Sequence, residues 1–260
     1  MSEDDLLYEV KDGIGRVTFN RPQARNAMTF AMYDRLTQIC EEAGADRSMR
    51  ALILTGAGEK AFASGTDISQ FRAFDTEADA IGYEERIDRV LGAIEHCPLP
   101  IIAAIAGACT GGGAGIAAAC DLRVAAKGSR FGFPVARTLG NCLSMSNYVR
   151  LTALVGQAAV KEMVFTARLL GTEEALKVGF INEMVEDRAA LDARADELAH
   201  LVAGHAPLTL RATKEALLRI RERMRPETGQ DLILMCYMSQ DFREGMDAFL
   251  TKRSPNWRGE

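Results

Sequence analysis

The sequence is poor in many of the groups from which metal, nucleophilic and nucleic-acid sites are built. Its 260 residues include three histidines, His96, His200 and His205, and all three fall at predicted helix ends. Six cysteines (Cys40, Cys97, Cys109, Cys120, Cys142, Cys236) lie far apart, with no C-x-x-C and no Cys/His cluster. That spacing argues against a structural zinc site, so no metal is expected, and reduced thiols fit a cytoplasmic setting. The net charge of −5 leaves no basic footprint for nucleic acid. The acidic start, Met1 to Asp5, lacks the basic or hydrophobic character of a signal or transit peptide, so none is expected. Repeats, low-complexity tracts and long linkers are also missing. One run, 101–120, carries no charge at all. Glycines at 107, 111, 112, 113 and 115, many alanines, and no flanking Lys/Arg anchors make it a poor bilayer span. The most telling absence is local: no Asp or Glu occurs from Leu122 to Lys161.

What is present is a chain that is 48% hydrophobic, enough to bury a large core. Leu6–Val10 and Ile14–Asn20 alternate apolar and polar residues around Asp12-Gly13, which predicts a hairpin. Pro22 marks the next stretch, Asn20–Met28, as a loop. A helix capped by Thr29 is predicted to bury Met32, Leu36, Ile39, Cys40 and Ala43. Ala51–Thr55 reads as a strand buried on both faces, and Gly56–Ile68 as a glycine-punctuated loop followed by a helical turn to about Phe74. A helix over 76–95 ends before Pro98 and Pro100, and the strand Ile101–Ile105 leads into a glycine turn and a helix over 112–119. Leu122–Ala126 and Ile181–Val185 are further strands. Phe131–Pro134 reads as a proline-bent loop, and three helical patterns fill 143–178. Helices are predicted over 187–204, 207–224 and 229–251. Strand–helix alternation followed by helices alone implies an α/β core over 1–200 and a helical C-terminal region over 201–260, whose apolar faces suit contact between subunits.

Gly111, Gly112 and Gly113 open a helix without side chains. The first N–H groups of a helix lack internal partners and favour negative charge, so this is a natural site for an oxyanion or a phosphate. The same glycines could instead serve only close helix packing. Nucleotide binding fits poorly, because Gly111–Ile116 lacks the last glycine of G-x-G-x-x-G and no phosphate-binding lysine follows.

Several segments in order resemble the crotonase (enoyl-CoA hydratase/isomerase) superfamily. They are Asn20-Arg-Pro through Asn26-Ala-Met28, Lys60–Ile68, Pro98–Gly107, Gly111–Gly113, Thr166–Asn182 and Asp241–Arg253. The resemblance implies a spiral of ββα units, a homotrimer or a hexamer of paired trimers, and an acyl-CoA thioester as ligand, with no cofactor beyond the CoA of the substrate. It places an oxyanion hole on the backbone N–H groups of Thr66 and Gly112. It puts Ala24, Arg25, Ser64, Asp67 and Ile68 along CoA, and Phe249 and Lys252 against CoA from a C-terminal helix, often a neighbouring subunit's. Gln23 stands where the family often has lysine, and Arg25 could supply that charge. Asp67 is equally a helix N-cap.

The sequence departs from the family's hydratases at the reacting end. Their two glutamates fall three residues after the middle glycine of the triplet and directly after the proline of the Phe-Gly-x-Pro segment; here those positions are Gly115 and Val135. Neither can transfer a proton, so ordinary hydration is not expected. In the loop 135–147, Arg137 is a candidate to hold an acyl carboxylate, with Asn141 as a second polar candidate. Cys142 reads as an inert small residue and Ser144 as a helix cap. A base could come from Asp75, Glu77, Asp79, Glu84 or Glu85, none of which the sequence places. Isomerisation, decarboxylation or carbon–carbon cleavage of an acyl-CoA remains open, and so does a non-catalytic acyl-CoA-binding subunit.

Overall fold

A computed structural model describes residues 5–224 and 227–260. The chain opens with the hairpin β1 (Leu6–Lys11) and β2 (Ile14–Phe19). Asp12 and Gly13 both take positive φ (53° and 75°), as the tight turn requires. After a 3-10 turn at Pro22–Ala24 come α1 (Phe30–Ala45), β3 (Ala51–Gly56) and β4 (Ala61–Ala63). A second 3-10 turn, Ile68–Ala73, precedes α2 (Glu77–His96), β5 (Ile101–Ile105), β6 (Ala108–Thr110) and α3 (Gly112–Ala119). Then follow β7 (Leu122–Ala126), β8 (Arg130–Gly132), α4 (Val135–Thr138), α5 (Met145–Phe165), β9 (Leu170–Gly171), α6 (Thr172–Lys177) and β10 (Glu183–Val185). The remainder is helical: α7 (Arg188–Ala203), α8 (Pro207–Glu222), α9 (Gln230–Tyr237) and α10 (Gln240–Thr251).

Two sheets result. The larger runs β1-β2-β3-β5-β7-β10 and is parallel beyond the hairpin; the smaller runs β4-β6-β8-β9. The central strands β3, β5 and β7 are buried on both faces, which explains their near-continuous apolar sequences. Along β3, Leu52 and Leu54 enter the cluster packed with α1 and α2, while Ala51 and Ile53 enter the opposite cluster with Leu191, Ala195 and Ala199 of α7. β5 divides in the same way.

Four expectations need correction. β4 lies inside the predicted glycine loop, and β6 inside the predicted glycine turn. Phe131–Pro134 runs from a strand into the single helical turn of α4. The predicted helix over 229–251 is broken at Met238–Ser239, where Ser239 caps a new helix by accepting from the Phe242 N–H. That break turns α10 back, so Phe242 packs with Phe71, Leu139, Ile233 and Tyr237 in a third cluster beside the site.

Candidate active site

The loop before α1 is fastened by its own motif residues. Asn26 is fully buried; its Nδ2 donates to the Ala57 (3.1 Å) and Ala61 (2.7 Å) carbonyls, and its Oδ1 accepts from the Arg21 N–H (3.0 Å). Arg21 donates to the Ala27 carbonyl (2.6 Å) and pairs with Asp67 at 3.0 Å. Asp67 caps its 3-10 turn by accepting from the Ser69 N–H and hydroxyl. Burial works against its ionisation, but the hydrogen bonds from Ser69 and Arg21 outweigh it and hold its carboxyl below the usual range.

A single parallel bridge, Met28 to Thr66, joins this loop to the next. The Met28 N–H donates to Gly65 O and the Asp67 N–H to Met28 O, both at 2.8 Å. Alternation along an extended chain then turns the Thr66 N–H to the other side. Gly112, the first residue of α3, has an N–H with no intrahelical acceptor, and a Cβ on it would lie 3.4 Å from Thr66 Oγ1. The backbones are close: a Cβ on Gly65 would lie 3.9 Å from the Gly112 nitrogen. Gly111 has φ 53°, and a Cβ on Gly113 would come within 2.2 Å of Ala63 O, so close packing and an open helix start coexist in one triplet. The Tyr33 hydroxyl sits 2.9 Å from Thr66 Oγ1, which also meets the Tyr83 hydroxyl at 2.8 Å.

Thr66 and Gly112 line a cleft of about 770 Å³. Ala24, Arg25, Ser64, Asp67 and Ile68 line it too, and so do Phe249 and Lys252 of the same chain. Asn141 reaches the cleft, whereas Arg137 does not. The short helix α4 leaves Arg137 exposed and outside the lining, so the expected grip on an acyl carboxylate is not available from it. Gly115 and Val135 are both on the wall, beside Ile87, Leu91 and Leu143. Cys142 also lines the cleft, but its proton is shared between Cys236 and the Leu232 carbonyl (3.4 Å), and that contact together with burial pushes the thiol far up. Ser144 caps α5 and donates to Asp88 at 2.7 Å.

Of the five unplaced acids, Glu84 is in the cleft. Asp79 is spent in a capping box with Thr76, and Asp75, Glu77 and Glu85 are exposed. Glu84 is buried on the inner face of α2, and its Oε1 accepts a 2.5 Å hydrogen bond from the Tyr237 hydroxyl. Tyr237 in turn accepts from Asn141 Nδ2 at 3.0 Å. Burial, with some help from the charge of Asp88, raises the Glu84 carboxyl to about 8 against the opposing pull of Tyr237 and the Ser144 N–H. At neutral pH Glu84 is therefore mostly a neutral acid. The sequence did carry a signal for it. Ile87 and Leu91 follow Glu84 by three and seven residues, so the acid shares the phase of the buried face.

Residues 9–260 match the sequence profile of the enoyl-CoA hydratase/isomerase family. The chain belongs to that family. It is 32% identical to a short-chain-enoyl-CoA hydratase of Clostridium acetobutylicum, over 97% of each chain. It is 34% identical to an (E)-benzylidenesuccinyl-CoA hydratase of Thauera aromatica, over 98% of this chain and 99% of that one. Among solved structures, a methylmalonyl-CoA decarboxylase in complex with 2-nitronate-propionyl-CoA is similar with a TM-score of 0.88, at 29% identity and 98% coverage of both chains. The mixed architecture of parallel sheets and helices is that of the crotonase fold. Among the described residues no helix is long and apolar enough to cross a membrane, and no group of three or more His, Cys, Asp or Glu is placed to hold a metal ion.

Proposed function

We propose that this member of the family binds a 2-carboxyacyl-CoA in the cleft and decarboxylates it through a thioester enolate. The carrying observation is the wall itself, where Gly115 and Val135 replace proton-transferring glutamates and Glu84 is held as a neutral acid. Enolate formation by loss of CO2 needs no base. The Thr66 and Gly112 N–H groups would donate to the thioester oxygen, and one such donor is worth about 3–4 kcal/mol in a transition state. The substrate carboxylate would lie against Ile87, Leu91, Val135 and Leu143, where losing water favours its departure as CO2. Ala24, Arg25, Ser64, Asp67 and Ile68 would follow the CoA chain, with Phe249 and Lys252 closing on it. The only other group required is the CoA carried by the substrate. The similarity to a methylmalonyl-CoA decarboxylase supports this reading, and the hydratase relatives mark its rival.

The test is direct. Malonyl- and methylmalonyl-CoA should release CO2, while crotonyl-CoA should not be hydrated at a rate on the order of 10 per second. Hydration at that rate would overturn the proposal. Tight binding of acyl-CoAs without turnover of any would favour a non-catalytic binding subunit. We also propose a homotrimer or hexamer, supported by the apolar surface of α8, where Leu208, Leu217 and Ile220 are exposed.

A further inference from the structure

We propose that Glu84 is the catalytic acid that protonates the α-carbon of the enolate, and that Tyr237 and Asn141 are the residues that position it. This rests on the enolate reading above. Glu84 follows Tyr83, whose hydroxyl is 2.8 Å from Thr66 Oγ1, so α2 brings the acid to the same wall as the Thr66 amide. The Tyr237 hydroxyl has one proton, directed to Glu84 Oε1, and it accepts from Asn141. That arrangement fixes Oε1 as an acceptor and leaves Oε2 to carry the acidic proton. Asn141 Oδ1 is buried with no partner among the described residues, on a side chain that also lines the cleft. An acceptor left open there suits a donor on the ligand.

The step balances. The bond from Cα to the carboxylate breaks, CO2 leaves, and its electron pair forms the enolate. The O–H bond of Glu84 then breaks as the new Cα–H bond forms, regenerating the thioester carbonyl. Glu84 is left as a carboxylate and takes a proton from water, so each turnover consumes one proton. Several groups interact with this carboxyl: Tyr83 and Asp88 on α2, Tyr33 on α1, Cys142 and Ser144 between α4 and α5, Tyr148 on α5, and Tyr237 on α9; Asn141 reaches it through Tyr237, and Cys236 of α9 contacts Cys142. The charge of Asp88 favours the protonated acid, and the contact with Cys142 lowers the Cys236 thiol to about 7.

Glu84→Gln keeps the shape and the Tyr237 hydrogen bond but removes the acidic proton. It should lower kcat on methylmalonyl-CoA about 100-fold or more, with affinity for propionyl-CoA and thermal stability retained. In D2O the wild type should place deuterium on one face of the α-carbon, and the variant on both. Tyr237→Phe tests positioning: removing its donor should move the alkaline limb of kcat to higher pH, where a merely structural role would leave it in place. Wild-type rate and stereochemistry in Glu84→Gln would overturn the assignment. If the wild type releases no CO2, the decarboxylase reading fails on its own. The acid is then read by exchange of the propionyl-CoA α-hydrogen in D2O, the reverse of protonation. Loss of that exchange in Glu84→Gln supports the assignment, and unchanged or absent wild-type exchange overturns it.

Discussion

Tyr33 places its hydroxyl where a side chain on Gly112 would begin, 2.2 Å from an added Cβ and 2.9 Å from Thr66 Oγ1. One buried phenol thus touches both residues whose amides are proposed to hold the thioester oxygen. Gly112→Ala should displace α3 from that phenol and cost about 10²–10³ in kcat, with little change in CoA affinity. Adding Tyr33→Phe should return part of the rate, and steady-state kinetics on the three proteins checks both statements. Glu84 offers a second prediction independent of activity. Its folded-state carboxyl titrates at about 8, far above the ordinary value of 4.5. A raised value means the native state binds the proton more tightly, so the stability it confers is complete below the ordinary value and drains away as pH rises to about 8. Urea unfolding across that window should show this decline, and Glu84→Gln should flatten it. At this scale the sequence singled out Gly112 and Thr66, which the structure places on the cleft, and the cap at Asp67. Arg137 falls outside the cleft because its direction depends on one turn of helix; Glu84 was legible as part of the buried face of α2, but not its role, because its partner, Tyr237, is remote in sequence.

At the scale of elements, the long apolar strands and amphipathic helices were legible because each carries several residues of one period. β4 and β6 were not, since each has three residues and no pattern survives at that length. They nonetheless position the site, because they lead into Thr66 and Gly112. α2, α5 and α8 are joined by an ion triad centred on buried Glu95, which sequence pattern also hides. Glu95 is gripped by Arg150 (2.5 and 2.8 Å) and by Arg221, and Arg150 passes a 2.9 Å hydrogen bond to Asn147 on the cleft wall. Burial opposes ionisation of Glu95, yet the two guanidiniums outweigh it and hold its carboxyl low. Its contribution is therefore present at neutral pH and lost in acid, as pH falls through the depressed value. Glu95→Ala should leave Arg150 buried without a counter-charge and destabilise the fold by about 3–5 kcal/mol, measurable by urea unfolding at pH 7.

The whole molecule buries both faces of the central strands of its large sheet but leaves α8 with Leu217 and Ile220 each 63% exposed. If this surface is an interface between copies, Leu217→Glu should reduce the mass seen by light scattering from a multiple of the chain toward a single chain. Unchanged mass would place the interface elsewhere. The general architecture followed from strand–helix alternation, whereas the return of α10 over the cleft depended on a short break that Ser239 makes possible. The hydrogen bond between Tyr237 and Glu84 spans 153 residues, and this separation has a meaning in time. At roughly 5–20 residues per second on the ribosome, Glu84 waits on the order of ten to thirty seconds before its holder has been made. Throughout that interval the carboxyl lacks the Tyr237 hydroxyl, the donor that favours its ionised form against burial. The Glu84–Tyr237–Asn141 chain of hydrogen bonds is therefore complete only once α9, close to the end of the chain, has been made.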